Sequence, residues 1–142
     1  MLKNISPLLT PELLKVLCEM GHGDEIVIAD GNFPACSVND RVIRLDGHGG
    51  VEVLKAILSV FPLDVAAQHN AMLMAVTPGE SVETPIWDEY RAEMEAVEGD
   101  RVHMTEIERF AFYDRAKTAY AVIATGEAAL YANLILKKGV IA

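Results

Sequence analysis

Residues 20–34 read MGHGDEIVIADGNFP, a β-branched run, Glu25–Ala29, set between a glycine-flanked histidine and an aspartate followed by glycine. An apolar strand with polar side chains on small-residue turns at both ends suits a site, because the strand fixes what the turns expose. His22 and Asp30 are therefore the first residues to explain. A rise of roughly 3.3 Å per strand residue puts them on the order of 15 to 25 Å apart in one chain, too far for one small substrate to bridge. Either the preceding loop folds back along the strand, or the two meet across a subunit contact.

Outward from this segment, Thr10 as cap and Pro11 at the first helical position open a helix whose stripe is Leu13, Leu14, Leu17 and Met20, ending before Gly21. After the strand, a loop through Gly31 and Pro34, carrying Cys36, leads to an extended segment at 41–45 and a turn at 46–50. Helical spacing over 51–61 stops at Pro62; 71–76 reads as a strand, and 85–97 as a helix with one apolar face. Thr105 and Glu108 have capping-box spacing for a helix reaching about Lys117, and strands follow at 120–124 and 133–136. This alternation predicts an α/β layered sheet. The short connection around Gly126 fits a hairpin or a near neighbour better than a parallel crossover, so the sheet is expected to be mixed.

The chain has 142 residues, the size of one ordinary domain, and about half are hydrophobic against 23% charged. No window approaches the roughly 18 apolar residues of a spanning helix, and the N-terminus lacks a signal-peptide pattern, so a soluble, cytoplasmic protein is expected. The net charge of −9 disfavours nucleic acid and favours a neutral small ligand. Cys18 and Cys36 are too few for a disulfide framework, and Cys18 reads as a small buried thiol. His22, His48, His69 and His103 show no metal-ligand spacing, so no metal is expected; the GHGG at 47–50 lacks the phosphate-loop pattern and reads as a turn.

His22, between glycines and without apolar neighbours, reads as a general acid or base, or as a satisfied core histidine. Asp30 reads as a site carboxylate or as an Asx turn. Tyr131 and Asn133 flank Ala132 where the last strand begins, so alternation gives them a common face suited to ligand hydroxyls; a surface tyrosine and a turn asparagine is the other reading. Arg109 stands in a first helical turn, where the helix dipole disfavours a cation.

Three ordered motifs, MGHGDEIVIADGNFP, RFAFYDRA at 109–116 and TGEAALYANLILKKGV at 125–140, resemble the L-fucose mutarotase and D-ribose pyranase family over the whole chain. Arg109 and the aromatic run Phe110, Phe112 and Tyr113 resemble the fucose branch; ribose pyranases tend to carry histidine at the position of Arg109. The resemblance implies one domain spanning residues 1–142, a layered α/β/α fold with a mixed, mostly parallel central sheet of the ribose pyranase type. It implies anomer interconversion without a cofactor, His22 as proton donor, and Asp30, Arg109, Tyr131, Ala132 and Asn133 on the sugar, with Tyr113 and Tyr120 as further candidates. Asp30 is also a candidate base. A ring-shaped homo-oligomer, typically a decamer with pockets near subunit contacts, is implied too. Cys36, where a histidine or small polar residue is expected, and Ala132, in place of a glycine, depart from the fucose pattern. D-ribose pyranase and a noncatalytic monosaccharide-binding protein are the alternatives.

Overall fold

Capping and apolar spacing place the first helix, α1, at Pro11–Glu19: the Thr10 hydroxyl accepts from the Leu13 N–H at 3.2 Å, and Leu13, Val16 and Leu17 are buried. The computed structural model describes residues 1–142. Strand β1, Glu25–Ala29, follows as the sequence predicts, then a single turn of helix, α2, at Ala35–Val38. Beyond these come β2 (Val42–Leu45), α3 (Gly50–Leu58), β3 (Ala71–Met74), α4 (Pro85–Glu98) and a 3₁₀ turn at Gly99–Arg101. The chain ends with β4 (Met104–Ile107), α5 (Arg109–Thr118), β5 (Ala121–Thr125) and β6 (Leu134–Lys137).

The strands form one mixed sheet in the order β2-β5-β1-β6-β3-β4. Five run parallel, and β6 lies antiparallel between β1 and β3. β5 and β6 are near neighbours rather than a hairpin, since β1 separates them. Alternating side chains of β1 feed two cores. Ile26 and Ile28 face α1, α3 and α4, whereas Val27 and Ala29 face α2 and α5, giving the α/β/α layering. Burial on both faces explains why β1 reads as a continuous apolar run.

Three local readings are corrected. Thr105 does not cap a helix: it lies in β4, paired with Met72, and the Glu108 carboxylate caps α5 by accepting from the N–H groups of Phe110 and Ala111 at 2.9 and 3.0 Å. Cys18 is exposed, not buried, because it falls on the solvent side of α1. Cys36 sits on α2 rather than in a loop.

The 47–50 glycine segment is a turn that delivers Gly50 as the first residue of α3. A Cβ at Gly50 would collide with the Tyr90 hydroxyl, so a side chain here is excluded by the packing of α3 on α4. Tyr90 is fully buried and donates to the Ala132 carbonyl at 3.0 Å; burial raises its pKa, so the phenol keeps its proton. The contact ties the helix layer to the segment that enters β6.

Candidate active site

The parallel strands β1, β3 and β4 end at one edge of the sheet, where antiparallel β6 begins, and a cleft of about 260 Å³ opens there. Strand ends beside a reversal of strand direction are where α/β sheets collect ligand groups. β1 delivers Asp30, the start of β6 delivers Asn133, and Arg109 begins α5 directly after β4.

Asp30 and Asn133 hold each other reciprocally. The Asp30 N–H donates to Asn133 Oδ1 at 2.8 Å, and Asn133 Nδ2 donates to Asp30 Oδ2 at 3.0 Å. Asp30 Oδ1 accepts from the Asn32 N–H at 3.0 Å, so the Asx turn forms in a residue that also lines the cleft. Only 7% of Asp30 is exposed, and burial pushes its carboxyl above the ordinary aspartate range despite these hydrogen bonds, which favour the ionised form.

The Tyr131 backbone is left-handed at φ 56°, an unusual conformation for a residue with a side chain. Its carbonyl accepts from Trp87 Nε1 at 2.8 Å. Its hydroxyl donates to Glu80 Oε2 at 2.5 Å and accepts from the Thr77 N–H at 3.3 Å. Tyr131, Glu80, Arg109, Asp30 and Asn133 thus form the polar part of the cleft, while Phe33, Met74, Tyr113 and Leu130 form an apolar part. The Arg109 guanidinium lies 5.4 Å from the Phe110 ring centroid and 5.7 Å from that of Tyr113.

The cleft therefore joins Asp30, Arg109, Tyr113, Tyr131 and Asn133. Ala132 lies between two of them in sequence but is fully buried and outside the cleft lining, with its carbonyl taken by the Tyr90 hydroxyl. His22 and Tyr120 are elsewhere, at the opposite end of the sheet. Tyr120 precedes β5, donates to Glu19 Oε2 at 2.8 Å and stacks under the Arg41 guanidinium at 4.0 Å. His22 occupies the turn before β1, exposed, with Nε2 3.1 Å from Asp64 Oδ2. The loop does not fold back along the strand.

Glu80 and Asp64 escaped the sequence reading. The Thr77-Pro78-Gly79-Glu80 turn just beyond β3 was a usable signal, since such turns line α/β sites. Asp64 lies 42 residues from His22, and no spacing rule connects them. No group of three or more His, Cys, Asp or Glu side chains converges in the molecule.

The chain belongs to the RbsD / FucU transport protein family, whose profile matches residues 3–141. Over 140 residues it is 49% identical to an L-fucose mutarotase of Actinobacillus pleuropneumoniae serotype 5b (strain L20), covering 99% of this chain and 97% of the relative. Among solved structures it is similar to FucU from Bifidobacterium longum, with 57% identity, TM-score 0.95 and coverage of 99% and 100% of the two chains. The fucose mutarotase of Streptococcus pneumoniae, solved in complex with L-fucose, gives 46% identity, TM-score 0.94 and the same coverage. RbsD of Bacillus subtilis, complexed with D-ribose, is more distant at 26% identity and TM-score 0.73, covering all of both chains. The α/β class with a mixed, mostly parallel sheet and the fucose side of the family agree with the sequence reading, whereas the sixth strand, β4, was not anticipated. No helix is long and apolar enough to cross a membrane.

Proposed function

We propose that this chain interconverts the α and β anomers of L-fucose, acting as one domain over residues 1–142. The observation that carries this reading is the cleft holding Asp30, Asn133, Arg109 and Tyr131 together beside an apolar wall, in a chain 46% identical to a fucose mutarotase solved with L-fucose. A neutral deoxysugar offers hydroxyls to the polar groups and a methyl group to Phe33, Met74 and Leu130.

Mutarotation needs a proton placed on the ring oxygen and one removed from the anomeric hydroxyl. The C1–ring oxygen bond then opens to an aldehyde, which rotates about C1–C2 and recloses. In this proposal His22 of a neighbouring copy, as imidazolium, protonates the ring oxygen, and Asp30 takes the anomeric proton directly or through water. Arg109 and Asn133 donate to hydroxyls, Tyr131 and the Ala132 backbone shape the ring face, and Tyr113 packs against it. Tyr120 shares the sheet end that bears His22, so it would approach a cleft only from the neighbouring copy. Opposite placement of His22 and Asp30 favours a homo-oligomer, and the family resemblance favours a ring-shaped decamer in the cytoplasm. No cofactor is needed, because free sugars already interconvert in water and the groups supply only part of the barrier.

The test is saturation-transfer NMR on L-fucose, with optical rotation of one freshly dissolved anomer. Wild type should accelerate exchange, and folded His22→Gln should not. Exchange at the uncatalysed rate with wild type would leave a binding protein, and faster exchange of D-ribose ring forms than of L-fucose would assign the ribose activity instead.

A further inference from the structure

We propose that Glu80 binds the substrate directly: its carboxylate accepts a hydrogen bond from a sugar hydroxyl across the ring from the anomeric carbon, at C3 or C4, and so selects sugars that carry one. This rests on the reading of the cleft as a sugar site with Asp30 at the anomeric hydroxyl. The observation behind it is an unused acceptor. Asp30 Oδ1 takes the Asn32 N–H and Asp30 Oδ2 takes Asn133 Nδ2, whereas Glu80 holds only the Tyr131 hydroxyl, on Oε2. Of the carboxylate oxygens that line the cleft, Glu80 Oε1 alone has no protein donor.

One turn puts this carboxylate in place. Past β3 the Ala75 N–H still donates to the Ile107 carbonyl, and the chain then reverses through Thr77-Pro78-Gly79-Glu80, where the Glu80 N–H donates to the Thr77 carbonyl at 3.0 Å. Gly79 takes a φ of +91° and Pro78 precedes it, the residue pattern of a type II turn. This turn and α4 grip Tyr131 at both ends. Thr77 and Glu80 surround its hydroxyl, and Trp87, in the first turn of α4, holds its carbonyl. A phenol has one proton and a carboxylate can only accept, so that proton goes to Glu80, while the Thr77 N–H at 3.3 Å and the Thr77 hydroxyl at 3.1 Å donate to the phenol oxygen. The Tyr131 hydroxyl is thereby fully used, and a ligand meets only its ring.

Satisfying that phenol does not require a carboxylate, because Thr77 Oγ1 is close enough to accept the same proton. Glu80 and Arg109 are both exposed and neither belongs to an ion pair. Glu80 is nevertheless near enough to add to the influences, led by the Tyr113 hydroxyl, that raise the Arg109 pKa. The cleft thus offers a charged donor and a charged acceptor that do not satisfy each other. A sugar hydroxyl is both donor and acceptor, so neighbouring hydroxyls can meet both groups. The spacing fits as well. Ile28 of β1 and Leu73 of β3 both pair with Leu134 of β6, so the two strands end level, about 10 Å apart at two strand spacings. Asp30 follows one end and the Glu80 turn follows the other, and a pyranose hydrogen-bonded on opposite sides spans such a gap.

The test pairs variants with deoxysugars, read as dissociation constants from titration calorimetry and as KM and kcat for anomer exchange. Wild type should bind 3-deoxy- or 4-deoxy-L-fucose about 10-fold or more weaker than L-fucose, the loss of one charge-assisted hydrogen bond. Glu80→Ala should weaken L-fucose by a similar factor, raising KM more than it lowers kcat, and should bind that deoxysugar no worse than L-fucose. Glu80→Gln, which keeps an acceptor for the Tyr131 hydroxyl but removes the charge, should lie between. If Glu80 only holds Tyr131, Glu80→Ala weakens every sugar by the same factor and the deoxysugar penalty persists, which overturns the proposal. So does a wild type that binds both deoxysugars as tightly as L-fucose, a result that needs no variant to fold. L-Fucose bound without faster exchange would refute the mutarotase reading alone, and the dissociation constants would still decide whether Glu80 binds the sugar.

Discussion

Asn133 holds Asp30 by two opposed hydrogen bonds, taking the backbone N–H on its carbonyl oxygen at 2.8 Å and giving its amide to the carboxylate at 3.0 Å. The pair sits where β1 ends and antiparallel β6 starts, so it locks the register of the two strands and aims the carboxylate in one step. Asn133→Ala leaves a buried N–H and a buried carboxylate oxygen each short of a partner. The expected loss is about 2–3 kcal/mol of stability, read as a lower denaturant midpoint with an unchanged m value, together with a raised KM for sugar. A variant with wild-type midpoint and KM would show that neither bond matters.

Asp30 makes stability depend on pH in an unusual direction for a carboxylate. Burial raises its pKa above the ordinary value of 3.8. Between that unfolded value and the raised folded one, the folded chain binds more protons than the unfolded chain, so stability falls as pH rises through this window. The contribution is complete below about pH 3.8 and lost above the folded pKa. Asp30→Asn keeps the shape without the charge. It should be more stable than wild type near neutrality, with the difference disappearing at the acid end, while sugar exchange is abolished. Denaturant midpoints of the two proteins across this range are the measurement. Parallel curves throughout would mean that burial does not strain this carboxylate.

The parts of the molecule legible in sequence are those whose signals are local. β1 was visible because four β-branched or small residues, Ile26 to Ala29, stand between glycine turns, and α1 because Thr10 and Pro11 mark its start. β4 was hidden: Met104–Ile107 is a short edge strand with a partly exposed polar face, and its Thr105 and Glu108 mimic a capping box. The cleft side chains Asp30, Arg109, Tyr131 and Asn133 were recognisable by type and position, yet their convergence depends on β6 inserting between β1 and β3, which no periodicity announces. Asp64 was unreadable for the same reason, since only Lys137–Gly139, hydrogen-bonded to the Gly23–Asp24 turn and to the Pro62 and Asp64 backbone, brings it to His22.

Gly50 and Tyr90 should be energetically coupled. A methyl group at Gly50 collides with the Tyr90 hydroxyl, and Tyr90 has no room to withdraw because it is fully buried. Gly50→Ala should cost about 1–3 kcal/mol, as overpacking does. Tyr90→Phe alone loses the bond to the Ala132 carbonyl and should cost about 1 kcal/mol. Together they should cost less than the sum, because the phenylalanine removes the colliding atom. Strict additivity in thermal or denaturant unfolding would refute the collision.

Separation of His22 and Asp30 at the two ends of β1 predicts complementation between inactive variants. His22→Gln keeps an intact cleft, and Asp30→Asn keeps an intact His22–Asp64 pair. If each cleft receives its histidine from a neighbouring copy, co-expressed and doubly tagged hetero-oligomers contain sites that combine a good cleft with a good histidine. Random mixing makes about a quarter of the sites competent, so exchange activity should recover to roughly that fraction of wild type, while either variant alone stays at the uncatalysed rate. If one chain supplied both groups to its own cleft, every site would lack one of them and mixing would restore nothing. The distinction needs no knowledge of the number of subunits, because it depends only on whether the donor and the carboxylate of one site travel on the same chain.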